Sequence, residues 1–208
     1  MINKTHESKP HQLKKLHALL IVCALLCLIL ASCSSKDGAN AGDPLSKFQV
    51  SDMGGYNGLS GYDKETVFVD VTMDDVDQLM KSGASFVLYA GFDNCPWCNV
   101  LIPYLNDAAL EAGAKIAYVD TRRDPSWQSN LDLEGYDIFV EYFGEYLDMD
   151  TEGKPHLYVP DVYFIKDGQV VDRHEGVTPG LDSPSDALTE DMKKDLMAVL
   201  KEGFDSCK

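Results

Sequence analysis

Two cysteines separated by two residues, Cys95 and Cys98, carry the most evident chemistry in this chain. The stretch over residues 86–103 reads FVLYAGFDNCPWCNVLIP. An apolar run over 86–90 leads through a Gly/Asp/Asn turn to Cys95-Pro96-Trp97-Cys98. Beyond it Val100, Leu101, Tyr104, Leu105 and Ala108 recur at helical spacing. The pair thus sits where a buried strand hands over to a helix. Cys95 falls in the first helical turn, facing backbone N–H groups without carbonyl partners and the positive end of the helix dipole. That setting stabilises a thiolate, which is the reactive form of cysteine. Cys98, three residues on, lies on the same face and can close a disulfide with Cys95. Pro96 suits the first turn, where an N–H has no helical acceptor.

A CxxC pair also serves other chemistry. A zinc site needs a second ligand pair at matching spacing, and the chain offers none. Haem attachment needs His after the second cysteine, where Asn99 stands. A static structural disulfide is the remaining rival.

Several further elements surround the pair. Residues 66–71 alternate and are β-rich, as a short strand does. Thr72 caps a helix with Asp74 and Asp75 in its first turn, Val76, Leu79 and Met80 inward, and Gly83 at its end. Pro103 should kink the helix that follows the cysteines, and Gly113 ends it. Residues 115–120 form another strand. Residues 159–171 read as strand, Asp167-Gly168 hairpin turn and strand, with Pro160 at the entrance. Such a proline marks either an edge strand or a cis bond at a functional site. Leu188, Met192, Leu196, Val199, Leu200 and Phe204 mark a closing amphipathic helix.

The first 32 residues read as a signal peptide. Lys4, Lys9, Lys14 and Lys15 precede an uncharged apolar stretch over 18–31, too short to span a bilayer comfortably. The sequence Leu30-Ala31-Ser32-Cys33 resembles the lipobox of bacterial lipoproteins, in which the cysteine becomes the new N-terminus and carries the lipid. Ordinary secretion or an uncleaved anchor are the alternatives, and all three place the domain outside the cytoplasm, where disulfides persist. Residues 33–63, rich in Gly, Ser, Asp and Asn, read as a flexible tether, and 64–208 as the domain. Residues 1–32 hold four lysines and one glutamate of the chain's 18 basic and 34 acidic residues. From Cys33 onward 14 basic and 33 acidic residues remain, a net charge of about −19. That balance argues against nucleic acid and anionic lipid as partner surfaces. Cys23 and Cys27 leave with the signal, and Cys207 is left over beside the C-terminus.

The succession of strand, helix, strand, CxxC helix, strand, insert, proline-led strand, hairpin and helix resembles the thioredoxin fold, from about Val67 to Phe204. Cys95-Pro96-Trp97-Cys98 looks like the redox motif of that superfamily. Pro103 matches its helix-kinking proline, and Val159-Pro160 with Lys166-Asp167-Gly168 looks like its cis-proline strand and turn. With the lipobox, the chain is similar to membrane-tethered thioredoxin-like lipoproteins and, more loosely, to bacteriocin transport accessory proteins. The resemblance implies an α/β domain with a central mixed sheet flanked by helices. It makes Cys95 the attacking thiolate and Cys98 the buried resolving thiol. Pro160, in cis, would pack on the pair, and Val159 would offer backbone groups to an extended substrate segment. Pro96 belongs to the same contact surface. Trp97 would be an exposed platform beside Cys95 or a ring packed under the loop.

Two departures stand out. The family's buried aspartate, six residues before the first cysteine, is Tyr89 here, so Cys98 lacks that proton acceptor. Asp93 and Asp161 would bring negative charge near the pair, raising the thiol pKa and making the couple more reducing. The insert over 126–158 carries Tyr136, Phe139, Val140, Phe143, Tyr146 and Leu147 at helical spacing, so it is a helix covering the sheet or a cap on the partner groove. Asp148, Asp150 and Glu152 only faintly match a calcium loop, and His156 and His174 read as surface residues.

The expectation is a monomeric, extracytoplasmic, membrane-anchored lipoprotein of a bacterium, attached through lipid on Cys33. It would exchange disulfides with protein cysteines or a thiol electron-transfer partner. No cofactor is implied, because the Cys95–Cys98 disulfide carries the electrons. The alternative is an accessory or binding lipoprotein of an export system with a structural CxxC disulfide.

Overall fold

The computed structural model describes residues 42–126 and 128–208. The expected signal peptide, Cys33 and the first part of the tether lie outside the described residues. Strand β1 (Phe68–Asp70) leads to helix α1 (Met73–Lys81). Thr72 caps α1 by accepting from Asp75 N–H, while the Asp75 carboxylate accepts from Thr72 N–H, a reciprocal box that satisfies two free amides. Strand β2 (Phe86–Gly91) then feeds α2 (Pro96–Ala112), which ends at left-handed Gly113. Strand β3 (Ile116–Asp120) follows. The insert contains α3 (Tyr136–Phe143) and a small hairpin of β4 (Asp148–Met149) and β5 (Pro155–His156). Strands β6 (Asp161–Lys166) and β7 (Gln169–Glu175) and helix α4 (Glu190–Ser206) complete the chain.

The main sheet has the order β1-β3-β2-β6-β7. β1 and β2 run parallel to β3, while β6 is antiparallel to both β2 and β7. That mixed order, with the CxxC helix following the central strand, is the thioredoxin fold. Every residue of β2 is buried, as a central strand covered on both faces requires. Alternation divides the core. Val87, Tyr89, Ile116, Tyr118, Val162 and Phe164 pack with α2 and α4. Phe86, Leu88, Ala90, Val119, Tyr163 and Ile165 pack with α1 and α3. The insert thus covers one face of the sheet: Phe139 and Phe143 are fully buried and lie 5.8 and 4.4 Å, ring to ring, from Tyr163. The acidic loop resembling a calcium site is a hairpin turn, in which the Asp150 carboxylate accepts from the Glu152 and Lys154 N–H groups.

The tether reading is corrected for residues 42–63. Leu45, Met53 and Tyr56 are buried, and Val50 bridges Val69 of the edge strand β1. Ser51 N–H donates to Phe68 C=O and Asp70 N–H to Gln49 C=O, so the segment blunts an otherwise open edge. Its apolar residues are few and follow no period among Gly, Ser and Asp, which is why composition reads as linker. A 3-10 turn, Asn57–Leu59, then lies against α2.

At Gly203 of α4 a Cβ would overlap the buried Phe164 ring. Alanine normally gains up to about 1 kcal/mol over glycine inside a helix. Forcing it against a packed ring costs about 1–3 kcal/mol. Gly203→Ala should therefore lower stability by ~1–2 kcal/mol in urea unfolding, and a gain in stability would show that the ring yields freely.

Candidate functional site

The site begins with backbone geometry. Cys95 is the N-cap of α2, with extended dihedrals (φ −76°, ψ 116°), and Pro96 occupies the first helical position. This conformation turns the Cys95 side chain back over the helix end, where its Sγ accepts the Cys98 N–H at 3.1 Å. The sulfur takes the place of the usual capping oxygen on one of the free amides of the first turn. Cys95 and Cys98 form a disulfide across a Cα–Cα distance of 5.1 Å.

The two cysteines are not equally enclosed, although the difference is smaller than an exposed attacking thiol implies. Cys98 is fully buried and Cys95 is 4% exposed. The Val159–Pro160 peptide is cis, as expected, and the Val159 carbonyl oxygen lies 3.7 Å from Cys95 Sγ. Trp97 is half-buried against the core rather than free-standing. It forms one wall of a groove of about 670 Å³ whose other walls include Tyr158, Val159, Pro160, Val177 and Val199. Tyr158 and Val199 are exposed, and Trp97, Val159 and Pro160 carry this apolar groove up to the dithiol.

His174 also lines the groove, half-buried rather than free on the surface. One ring nitrogen, Nε2, lies 2.9 Å from the Val177 carbonyl, and burial lowers its pKa, which keeps the ring neutral at pH 7. Sequence spacing offered no signal for this, because it follows from β7 lying beside β6 with His174 opposite Val162.

Tyr89 is fully buried, and its hydroxyl lies 3.4 Å from that of Tyr56, which donates to Tyr118 at 3.0 Å. Burial pushes all three hydroxyls upward, so none is a base at neutral pH. The position at which the sequence resemblance would set a buried carboxylate is thus filled by a neutral, self-satisfied aromatic cluster, with Tyr89 and Tyr118 stacked at 5.5 Å.

The two carboxylates expected beside the dithiol separate. Asp93 is half-buried in the turn before Cys95, with its side chain against Gly55. Asp161 is corrected. Alternation along β6 puts it opposite to Val162, on the face shared by Ala90 and Tyr163. There it accepts from Arg173 Nε (2.9 Å) and Nη2 (2.8 Å) and from the Tyr163 hydroxyl. Its charge is matched by a guanidinium across the β6–β7 ladder and is not a free anion beside the cysteines. Arg173 also donates to the Tyr146 carbonyl and pairs with Glu175, so the network ties the insert to the cis-proline strand. Cys207 is a free, half-buried thiol whose pKa burial raises.

No protein-family model matches the chain, and no curated protein matches it. Among solved structures the chain is similar to a protein assigned as an oxidoreductase with a thioredoxin fold. Identity is 12% and the TM-score 0.38, over 53% of this chain and 83% of that one. It is also similar to thioredoxin from Aeropyrum pernix, at 21% identity and a TM-score of 0.36, over 52% and 75% of the two chains. At these values the likeness adds nothing to the fold already read from the strand order.

Burial pushes the Asp161 carboxyl up to about 6, while Arg173 pulls it back. A carboxyl raised in the folded state contributes stability below its unfolded pKa, near 4, that is lost as pH rises through about 6. Removing Arg173 leaves the ionised form unpaired and raises that pKa further. Arg173→Met should therefore cost on the order of 3–5 kcal/mol at pH 8 and clearly less at pH 5, where Asp161 takes up a proton. Urea unfolding at the two pH values measures this, and an equal loss at both would rule out the charge account.

Proposed function

We propose that this protein is a thiol–disulfide oxidoreductase whose reacting group is the Cys95–Cys98 pair. The observation that carries the reading is the Cys98 N–H aimed at Cys95 Sγ at the N-terminus of α2. In the reduced protein that donor and the helix dipole favour a Cys95 thiolate. The thiolate attacks one sulfur of a partner disulfide, forming a mixed disulfide and releasing the partner's other sulfur as a thiolate, which takes a proton. Cys98, as thiolate, then attacks Cys95 Sγ, closing the Cys95–Cys98 bond and releasing the second partner sulfur. The partner gains two electrons and the protein loses two, so no separate cofactor enters the balance. The reverse sequence oxidises a partner dithiol. Because Cys95 is narrowly exposed, the partner must approach along the groove beside Trp97 and Pro160, with the Val159 backbone available to an extended segment.

The rest of the proposal rests on sequence. The order of basic region, apolar stretch and Leu30-Ala31-Ser32-Cys33 supports a lipid on Cys33 and an extracytoplasmic, membrane-attached domain acting on protein cysteines or a thiol partner. Among the described residues no helix is long and apolar enough to cross a membrane. A second reading, an accessory protein with a static disulfide, is favoured by the near-complete burial of both sulfurs.

Unequal reactivity separates the two. In the reduced protein Cys95 should alkylate at least tenfold faster than Cys98 near pH 7, and Cys98→Ser should accumulate mixed disulfides that Cys95→Ser does not. Equal rates with no trapped species would establish the static bridge. For the anchor, the native protein's mass should show a diacylglyceryl group on Cys33, and Cys33→Ser should release the protein from membranes; an unmodified secreted N-terminus would refute it.

A further inference from the structure

Asn99, the residue after Cys98, makes more hydrogen bonds than its place on a helix surface explains. Its side-chain Nδ2 donates to the Asp93 carbonyl at 2.6 Å and to the Cys95 carbonyl at 2.9 Å. Its Oδ1 accepts the Gly58 N–H at 2.7 Å. Two carbonyls on one side and an amide on the other define the orientation of the side-chain amide. One side chain therefore joins the turn before the dithiol, the N-cap itself and the N-terminal segment.

A second observation meets at the same residue. Pro103 lies four residues beyond Asn99 inside α2 and has no N–H to give the Asn99 carbonyl. The Gly58 backbone lies against that freed oxygen, so closely that a Cβ at residue 58 would overlap it. The helix remains continuous through Pro103 to Ala112. The segment that composition reads as a tether is thus seated on the spot the proline opens. It is held there by Asn99 on one side and by Met53 and Tyr56 in the core on the other.

We propose that Asn99, seated by the 53–59 strap, is the positioning residue of the dithiol: it holds the Cys95 backbone so that Sγ stays on the Cys98 N–H. This rests on the thiol–disulfide reading of the same site. The carbonyls it holds, Asp93 and Cys95, bracket a peptide segment whose rotation would swing Sγ away from the helix end. Asn99 touches no reacting atom and acts through Cys95 alone. The titratable groups around the dithiol are Asp93 in its own turn, Tyr56 on the strap, Tyr89, Tyr118 and Asp120 on the sheet, and His174 and Glu175 on β7 across the groove. The tyrosines and His174 are neutral at pH 7, and of the three carboxyl side chains only that of Asp93 sits on the segment Asn99 holds.

The test uses the reduced protein with Asn99→Ala, Asn99→Asp and, as a control for stability alone, Gly203→Ala. The Cys95 thiolate is titrated by its absorbance, the glutathione equilibrium constant is measured, and melting is followed on the same samples. Asn99→Ala should raise the Cys95 pKa by about 0.5–1 unit and shift the equilibrium about 3- to 10-fold toward the disulfide form. Asn99→Asp keeps the acceptor for Gly58 but loses both donors and sets a carboxylate against two carbonyls, so its shift should be larger. Gly203→Ala should melt lower with the parent's titration. If Asn99→Ala melts lower yet titrates and equilibrates like the parent, Asn99 is merely structural and the proposal fails. Should both variants fail to fold, hydrogen exchange of the Asn99 side-chain amide in the reduced parent decides: protection supports the clamp, and exchange at the free rate refutes it. If the parent titrates with the expected dependence on Asn99 but does not exchange with any disulfide, the oxidoreductase reading fails and the positioning role stands.

Discussion

The first turn of an α-helix presents amide groups that no carbonyl within the helix can satisfy. In this protein one of them is given to a sulfur, and the rest of the structure depends on keeping it there. The sheet supplies rigidity. β2 is buried along its whole length between two parallel or antiparallel neighbours, so the turn that leaves it has a defined origin. The helix supplies direction, because Pro96 and the extended N-cap allow only a narrow range of side-chain positions over its end. At the cis peptide Val159–Pro160 the Val159 carbonyl oxygen lies 3.7 Å from the same sulfur.

Charge is managed by separation. The molecule is strongly acidic, yet the carboxylate that follows the cis-proline is kept away from the dithiol face. Asp161, next to the cis-proline in sequence, is turned by one strand position to the other face and matched by Arg173. Burying an ion pair stabilises little in itself, because desolvation offsets most of the attraction. Its effect here is geometric: Asp161, Tyr163, Arg173 and the Tyr146 carbonyl join the insert, the cis-proline strand and its hairpin partner. On the opposite face Tyr56, Tyr89 and Tyr118 join their hydroxyls in a buried cluster. Burial raises the pKa of all three hydroxyls, so none of these side chains is a base at neutral pH.

The helix around the dithiol shows how a defect can be used. Proline inside a helix costs about 3 kcal/mol when nothing compensates the lost bond. Pro103 leaves the Asn99 carbonyl without its donor, and the glycine of an irregular segment fills the space beside it. The absence of a side chain at residue 58 permits that approach, and the amide of the same residue binds Asn99.

Much of this protein was readable from local pattern. The dithiol at a strand–helix junction follows from an apolar run, a turn and helical spacing. The strands follow from short apolar or β-rich runs, the hairpin from Asp167-Gly168, and the caps from Thr72 and Gly113, because each depends on residues within one or two turns of chain. The position of residues 42–63, the Asn99 node, the Asp161–Arg173 pair and the burial of His174 were decided by tertiary structure alone. Their partners include groups 12, 41 and 62 residues away, and even the nearest, His174 with Val177, depends on how β7 lies against β6. A polar side chain in sequence carries no mark of which distant backbone group it will satisfy. That choice is made only when the sheet order brings the groups together and burial makes an unpaired one too costly to keep.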